Sequence, residues 1–524
     1  DKNTVQAIVT DAEGNLVSGA SVTFGVSGDG SKTIITTLKG ITGSDGVATA
    51  EVTSKVADEF TVAAIVLGQK TEKNTEFVAD VAIASQSKLT TNKQQYLAGE
   101  EIIVTATLRD AFGNPADMSG VTQLTVEGAE FKEKLSEQQG DIRWSYTATT
   151  PGLYSAHLSW NNAGESMSST EYTIGVGSAV AEKSTIKTDR TSYISGDDMA
   201  VTVTLKDAYD NAVSGQASRL TEEIVDVQSA QIKPGSQWTE GPDGVYQRVY
   251  QATTSGMGFK ATLTLNNEQS YSSSYMVNVG SIFAENSSIV TNTSSYALGE
   301  DIQVEVTLRD FGGNAIKSQS STLRVSVTVD NATRKTDDWV DNGNGVYTAV
   351  YTASQVSASS RAYLSIDSIG SKEVMSDSFV IKEITIKSLD VPGGYSHSPT
   401  VGFPTIGFSR ANFTIKLNGA KATDYDWSSN RPGVASVNEN GVVTMAISLT
   451  TGYDVTITGK RKNGSDTIGV ITYQFTINQW ISMLNQTTFD VALNACSRST
   501  LMDRSDIIND LYIGSLRGEW GHLS

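Results

Sequence analysis

Apolar and polar residues alternate along several stretches of this chain. In the clearest stretch, Ile302, Val304, Val306 and Leu308 are separated by single polar residues. Successive side chains of a β-strand point to opposite faces, so this alternation gives one apolar face and one polar face. A strand of that kind covers one side of a buried core, as in a β-sandwich. The pattern returns at 201–205, and it predicts β-strands in sandwich domains.

Each of these strands ends at an aspartate, which is followed by a turn containing glycine or asparagine. Asp and Asn side chains bond their own backbone in turns, and Gly accepts the positive φ that many turns require. Successive aspartates are 99, 97 and 103 residues apart. That period is too long for a solenoid repeat and matches one complete small domain. The aspartates are Asp11, Asp110, Asp207 and Asp310.

Two further landmarks recur with the aspartate. A glycine opens a later strand whose large side chains are expected to fill the core; these glycines are Gly46, Gly140, Gly244 and Gly345. A turn of the form Tyr-x-x-Gly-acid precedes the aspartate strand at 96–100, 193–197 and 296–300. We interpret this turn as a packing tyrosine with a turn glycine. The alternative is a calcium site at the module junctions, although calcium needs six to eight clustered oxygens.

The repeats predict an all-β fold class: tandem immunoglobulin-like β-sandwiches in an elongated rod, with a short α-containing C-terminal segment. The connections are short and contain no proline-rich linker, so neighbouring modules are expected to touch. We name the predicted domains modules one to five, followed by a partial tip module. Their predicted bounds are 1–84, 85–177, 178–280, 281–383, 384–478 and 479–524.

Module five and the tip segment have patterns of their own. Trp427 is expected to pack between the sheets of module five, and Asn440-Gly441 is expected to close a hairpin. After residue 479 the spacing of apolar residues becomes helical. The residues with that spacing are Phe489, Ala492, Leu493 and Cys496.

Charge and chain ends narrow the class of protein. The net charge of −19 argues against a nucleic-acid partner, which requires a basic surface, and suits a soluble surface protein. No apolar stretch is long enough to cross a membrane as a helix. The chain begins at Asp1 without a methionine or a signal peptide, and we interpret it as part of a longer protein.

No residues form a recognisable catalytic, cofactor-binding or metal-binding set. The three histidines, His157, His397 and His522, lie in different modules, whereas a triad or a zinc site needs convergent side chains. The sequence therefore predicts no enzyme, no cofactor and no metal. Cys496 is the only cysteine. It is either a small buried apolar residue or half of a disulfide whose partner lies outside these residues.

Several segments resemble the passengers of intimin/invasin-family adhesins. The runs from Val9 to Phe24 and from Thr42 to Ser54 resemble the first type of bacterial Ig-like domain, and modules two to four resemble it more weakly. The run from Trp427 to Thr444 resembles the second type. The tail, with its stretch Gly-Glu-Trp-Gly at 518–521, resembles the opening of the lectin-like tip module of the same adhesins.

This resemblance implies the surface-exposed stalk of a Gram-negative outer-membrane adhesin, an inverse autotransporter linked to virulence. A barrel outside these residues would make the membrane contact and export the passenger. The rod, expected to be monomeric, would hold a binding tip toward a host cell-surface receptor or an extracellular-matrix protein. Two alternatives stay open: a rod that self-associates in biofilms or between microbes, and an Ig-like spacer of a cell-surface carbohydrate-active enzyme.

Overall fold

The computed structural model describes residues 2–27, 32–119, 121–160, 165–365, 373–446, 452–481 and 513–521. The described residues fold into successive β-sandwiches, and the predicted fold class is confirmed. In modules two to four the alternating strands place their apolar residues inside. Ile302, Val304, Val306 and Leu308 have no exposed surface. The predicted domain bounds stay predictions, and Cys496, Phe489 and His522 lie outside the described residues.

Module one consists of two small antiparallel sheets. In one sheet the strand Val47–Ser54 lies between Lys2–Ile8 and Thr33–Lys39. In the other sheet Glu59–Val66 lies between Thr23–Val26 and Gln69–Glu76. Two neighbouring apolar clusters fill the space between the sheets. The strands are Lys2–Ile8, Thr23–Val26, Thr33–Lys39, Val47–Ser54, Glu59–Val66 and Gln69–Glu76.

Module two begins with a strand that is divided into two parts, one in each sheet of the sandwich. Lys88–Thr91 pairs antiparallel with Glu101–Thr107, and Gln95–Leu97 pairs parallel with the last strand, Tyr172–Gly175. The first strand therefore joins both sheets of the sandwich. The strands are Lys88–Thr91, Gln95–Leu97, Glu101–Thr107, Val121–Val126, Ala129–Gln138, Asp141–Ala148, Gly152–Tyr154, Ala156–Trp160, Ser166–Ser168 and Tyr172–Gly175.

Modules three and four repeat this topology. Module three contains a 3₁₀ turn at Ala217–Arg219 and the strands Thr185–Thr188, Ser192–Ile194, Asp198–Thr204, Val225–Val227, Ala230–Ile232, Thr239–Glu240, Val245–Ala252, Gly256–Phe259, Ala261–Leu265, Glu268–Tyr271 and Tyr275–Asn278. Module four contains a 3₁₀ turn at Ala284–Asn286, the helix Ser320–Ser326 and the strands Ser288–Thr291, Ser295–Ala297, Asp301–Thr307, Val327–Val329, Ala332–Arg334, Val340–Asp341, Val346–Ala353, Ser357–Ser360, Ala362–Leu364, Val374–Met375 and Phe379–Lys382.

Module five has a different topology and an aromatic core. Phe413 has no exposed surface, and its ring contacts those of Phe403, Tyr473 and Phe475. The helix Leu516–Trp520 packs on this core. The strands are Ile386–Asp390, Ser396–His397, Ile406–Phe408, Asn412–Leu417, Tyr425–Ser429, Ala435–Val437, Val442–Met445, Tyr453–Arg461, Ile471–Ile477 and Gln479–Ile481, with a 3₁₀ turn at Ala422–Asp424.

Candidate functional site at the module junctions

The four aspartates begin turns with the same hydrogen bonds. One carboxylate oxygen of Asp310 accepts from the backbone N–H of Asn314 at 2.8 Å, and Asp11 holds Asn15 in the same way at 2.7 Å. The residue before each asparagine has positive φ, from 67° to 89°; these residues are Gly14, Gly113, Asp210 and Gly313. We call the segments 11–15, 110–114, 207–211 and 310–314 the Asp turns.

The recurrent glycines pack against the strand end that leads into each Asp turn. In module four the backbone N–H of Leu308, two residues before the aspartate, donates to the carbonyl of Gly345 at 2.8 Å. A Cβ at this glycine would lie 2.6 Å from the carbonyl oxygen of Leu308, and its φ is +72°. Gly46, Gly140 and Gly244 have the same contact and also a positive φ, so all four positions require glycine.

The second carboxylate oxygen of three aspartates holds the connection from the preceding module. Asp207 accepts from the backbone N–H of Gly177 at 2.9 Å, and Asp310 from that of Gly280 at 2.8 Å. Asp110 accepts in the same way from Asp80 at 3.3 Å. These three aspartates are buried, whereas Asp11 is exposed. Each buried carboxylate therefore ties a module to the connection that enters it.

The asparagine of each of these turns forms a hydrogen bond with the preceding module. Its side-chain N–H donates to a backbone carbonyl at the end of that module. The pairs are Asn114 with Lys55 at 3.0 Å, Asn211 with Thr149 at 2.7 Å and Asn314 with Thr253 at 2.7 Å. The amide oxygen of Asn314 also accepts from the backbone N–H of Ser255 at 2.8 Å. At each of three successive junctions, an aspartate and an asparagine of the Asp turn thus bond the preceding module and its connection.

The Tyr-x-x-Gly-acid turn meets the Asp turn of the next module. The hydroxyl of Ser195 accepts from the backbone N–H of Gly312 at 2.9 Å, and Gly196 lies against the ring of Phe311. At the preceding junction Gly99 lies against the ring of Tyr209. Two landmarks that are separate in the sequence therefore meet across the junctions.

The junction between modules four and five is built differently. Here a loop of module five covers the turn at 296–300. The carbonyl of Gly299 accepts from the backbone N–H of Ser465 at 2.8 Å, and Arg461 forms an ion pair with Glu300 at 2.9 Å. Glu300 also forms an isolated antiparallel bridge with Gly464. Backbone pairing replaces the Asp turn at this junction.

The C-terminal helix is fixed to module five by a buried carboxylate. Glu519 has no exposed surface and accepts from the backbone N–H groups of Thr405 at 2.9 Å, Ile406 at 3.0 Å and Gly514 at 2.8 Å. The indole N–H of Trp520 donates to the carbonyl of Ile406 at 2.9 Å. The stretch 513–521, expected from the sequence to open the tip module, is therefore docked on module five.

Two segments of the chain match family models of known domains. Residues 1–78 match the family model of the bacterial Ig-like domain, group 1, and residues 387–475 match that of invasin domain 4. The chain therefore contains one segment similar to a group 1 bacterial Ig-like domain and one similar to invasin domain 4. The predicted resemblance to intimin and invasin adhesins is thereby confirmed.

Individual relatives are much longer than the matched part. The inverse autotransporter adhesin YeeJ of Escherichia coli K12 is 30% identical over 149 residues, which cover 27% of this chain and 6% of YeeJ. Invasin of Yersinia enterocolitica is 34% identical over 133 residues, which cover 24% of this chain and 15% of invasin. The chain therefore spans only a small part of either relative.

Two solved structures of adhesins have some similarity to this chain. The E. coli adhesin FdeC has a TM-score of 0.29 at 18% identity, covering 58% of this chain and 100% of that one. The crystal structure of invasin has a TM-score of 0.26 at 18% identity, covering 99% of this chain and 86% of that one. Both scores are low, so the fold assignment above depends on the strands of this chain itself.

The remaining predicted site residues lie away from the junction contacts. Trp427 is half-buried, packs against the core of module five and donates from its indole N–H to the carbonyl of Ala422 at 2.8 Å. Asn440-Gly441 lies in the turn of a hairpin, as expected. His157 and His397 lie in different modules. Within the described ranges, no group of three or more His, Cys, Asp or Glu residues could hold a metal ion, and no helix is long and apolar enough to cross a membrane.

The roles of the asparagines and of Glu519 were not predicted from the sequence. For the asparagines a signal was present, because an asparagine follows every one of the four aspartates by four residues. That spacing predicts a local turn, which the structure contains, but three of the asparagines also bond another module. Glu519 lies in the Gly-Glu-Trp-Gly stretch, which suggested a family resemblance but no contact.

Replacing Asn314 by alanine is expected to weaken the junction between modules three and four by about 1–2 kcal/mol, since it removes two hydrogen bonds to the preceding module. Amide hydrogen exchange at Ser255 should become faster. Asn15→Ala is the matched control, because it removes the corresponding bonds within the turn of module one. Equal changes in stability for the two variants would contradict a role across the junction.

The carboxyls of Asp110 and Asp207 give the junctions a dependence on pH. Burial alone would raise the pKa of both groups, but hydrogen bonds from asparagine and from backbone amides lower it below the ordinary value of 3.8. A lowered pKa in the folded state means that the ionised carboxylate stabilises the structure above about pH 3.8, and that this stabilisation is lost as the pH falls below that value.

Acid is therefore expected to loosen the first two junctions before the sandwiches unfold. Small-angle X-ray scattering during a titration from neutral pH to about pH 2 should show a broader range of interdomain distances below the ordinary pKa of aspartate. The double variant Asp110→Asn, Asp207→Asn should lose most of this transition. A transition that is complete well above that pKa would indicate a different group.

Proposed function

We propose that the chain is the stalk of a Gram-negative outer-membrane adhesin, which projects a binding tip toward host cells or extracellular matrix. The observation that carries this proposal is the repeated junction. At three successive junctions an aspartate bonds the entering connection and an asparagine bonds the preceding module. Such contacts restrict the angle between neighbours, and restricted angles are what a spacer requires.

The relatives support a role in adhesion. One is named an inverse autotransporter adhesin and the other an invasin. The invasin of known crystal structure is an integrin-binding protein, and an intimin fragment was solved in complex with the translocated intimin receptor. By analogy, the partner proposed for this chain is a host cell-surface receptor or a matrix protein, and its location is the bacterial cell surface. The proposal includes no enzymatic activity.

The helix docked on module five supports the proposal, because it fixes the end of the described chain to the last sandwich. Glu519 and Trp520 hold residues 513–521 on the core of module five. A tip that continues from this segment would be oriented by module five, because the side chains of Glu519 and Trp520 bond the backbone of Thr405 and Ile406. The stalk would then set both the distance and the direction of the tip.

Adhesion of coated beads tests the proposal. Beads carrying this chain and beads carrying the same chain with a complete invasin-type tip module are incubated with cultured host cells and with matrix proteins. Binding by the tipped chain alone is expected. Equal binding by both would place the receptor site in the Ig-like modules and contradict a passive stalk. Aggregation of beads with each other would favour a self-associating rod instead.

A further inference from the structure

The five modules differ in the sign of their net charge. Module five, residues 384–478, contains eight Lys and Arg residues and six Asp and Glu residues. Each of modules one to four has instead an excess of acidic residues, of four or five. Module five is therefore the only predicted module with a positive net charge, in a chain whose total is −19. An asymmetry of this kind indicates an acidic partner for the basic domain.

Three basic residues of module five line one groove. The groove has a volume of about 590 Å³ and lies over the paired strands Ile386–Asp390 and Asn412–Leu417. Ser388 and Asp390 line it and are the neighbours of Leu389, which is buried. Because side chains alternate between the faces of a strand, the groove lies on the outer face of this sheet. We call its basic residues, Lys387, Lys416 and Lys421, the groove lysines.

The local structure places the groove lysines around the same space. Lys416 lies opposite Ser388 in the sheet, and the pairing shifts by one residue at Lys387. A bulge of this kind re-aims a side chain, and both lysines are exposed. Lys421 precedes the 3₁₀ turn Ala422–Asp424, whose first residues also line the groove. Three ammonium groups therefore border one groove.

The described residues leave this groove with an excess of positive charge. Among them, the ion pairs of module five are formed by Lys460 and Arg461 and include none of the groove lysines. Asp390 is the only acidic residue in the described lining. Its carboxylate accepts from the hydroxyls of Ser388 at 2.8 Å and Ser396 at 2.5 Å. Three ammonium groups thus outweigh one carboxylate, and the groove attracts anions.

The lining favours one class of anionic partner. Both strands beneath the groove lie inside their sheet, so they offer no free edge to an extended peptide. The described lining contains no aromatic side chain on which a base could stack. In the described part of module five, the only exposed large apolar residue is Val401, outside the groove, so a lipid surface would gain little apolar contact. Thr423 and Asn440 line the groove, and their side chains can bond sugar hydroxyls.

We propose that this groove binds an acidic polysaccharide, which is a sugar chain that carries sulfate or carboxylate groups. The anionic groups bind the ammonium groups of Lys387, Lys416 and Lys421. The sugar hydroxyls form hydrogen bonds with the side chains of Thr423 and Asn440. The site lies on the side of module five and depends neither on a tip nor on the proposed stalk function.

Fluorescent heparin, which carries both sulfates and carboxylates, tests the site in the full chain. Its anisotropy is followed as the chain is added in about 50 mM salt, where saturable binding is expected. The dissociation constant should rise roughly tenfold between about 50 and 200 mM salt, because about three ammonium groups displace counterions from the polysaccharide. Absence of saturable binding at the lower salt concentration overturns the proposal.

Unlabelled competitors identify the chemistry that the groove recognises. Hyaluronate carries carboxylates without sulfates, so its competition assigns the site to carboxylates and its failure to compete assigns the site to sulfates. Dextran is neutral and should not compete. Competition by dextran, or competition by polyglutamate or anionic lipid vesicles as strong as that of heparin, overturns the proposal.

Soluble heparin also separates this proposal from that of the stalk. Cultured cells carry acidic polysaccharides, so the bead assay is repeated with excess heparin, which occupies the groove. Binding of tipped beads in heparin then depends on the tip. Failure of the stalk proposal can therefore be told apart from failure of the polysaccharide site.

A triple variant locates the binding in the groove. Lys387→Gln, Lys416→Gln and Lys421→Gln together remove the three positive charges, and they should weaken heparin binding about tenfold or more. All three side chains are exposed, so the fold of module five should be kept. Heparin binding that is unchanged in this variant overturns the proposal.

The matched control removes the same charge from module five outside the groove. It is the triple variant Arg410→Gln, Lys460→Gln, Lys462→Gln, whose side chains are also exposed. Its heparin binding should stay within about twofold of that of the unchanged chain. Equal weakening by the two triple variants would show that binding follows the net charge of the module, and it would overturn the assignment to the groove.

Discussion

Replacing Glu519 by alanine is expected to release the segment 513–521 from module five. The carboxylate accepts from three backbone N–H groups, those of Thr405, Ile406 and Gly514, and Ile406 is buried. Removing it leaves the buried N–H of Ile406 without an acceptor and also removes the acceptor of the other two N–H groups. A buried unsatisfied donor costs about 1–3 kcal/mol, so the variant should lose about 3 kcal/mol or more of module-five stability.

Thermal unfolding and hydrogen exchange measure this loss. The amides of Thr405 and Ile406 should exchange much faster in Glu519→Ala than in the unchanged chain. Glu439→Ala is the control, because Glu439 is an exposed glutamate of the same module. Glu519→Gln should fall between the two, since its amide keeps one oxygen acceptor but turns a donor toward other donors. Unchanged exchange in Glu519→Ala would show that the carboxylate does not hold the helix.

Gly312→Ala is expected to separate modules three and four without disturbing either core. A Cβ at this position would overlap the carbonyl oxygen of Thr253 and lie 2.8 Å from the hydroxyl of Ser195. Both groups belong to module three, so relief requires the modules to move apart. That movement breaks the bond that Asn314 donates to Thr253 and the bond that it accepts from Ser255, at a cost of about 2 kcal/mol.

Small-angle scattering detects the separation as a wider distribution of distances in the whole chain. Glu13→Ala changes the equivalent position of module one, where the turn is exposed, and should leave scattering unchanged. The melting of the individual sandwiches should also be unchanged in Gly312→Ala. If the variant scatters as the unchanged chain does, the contact between these two modules does not determine their angle.

The strands of the sandwiches could be predicted from sequence because their signal is local. The alternation from Ile302 to Leu308 is set by a core that takes every second side chain, and all four apolar residues are buried. The Asp turns were predictable for the same reason, since Asp310 and Asn314 are four residues apart.

The junctions could not be predicted in the same way. The partner of Asn314 across the junction is Thr253, 61 residues earlier, and the pairing depends on how two complete modules face each other. Glu519 lies 113 and 114 residues from the two amides of module five that it accepts from. No periodicity within a strand carries that information. Nothing in the sequence around Glu519 indicated that its carboxylate would be buried.

The parallel pairing of the first and last strands in modules two to four has a consequence under tension. In module four Ser295–Ala297 runs alongside Phe379–Lys382 in the same direction. A pull applied to the two ends of the module drags these strands past each other along their length, so the hydrogen bonds between them are loaded together instead of opening one after another. In the proposed stalk, tension along the chain would therefore load these modules in shear, the direction in which their paired strands separate least readily.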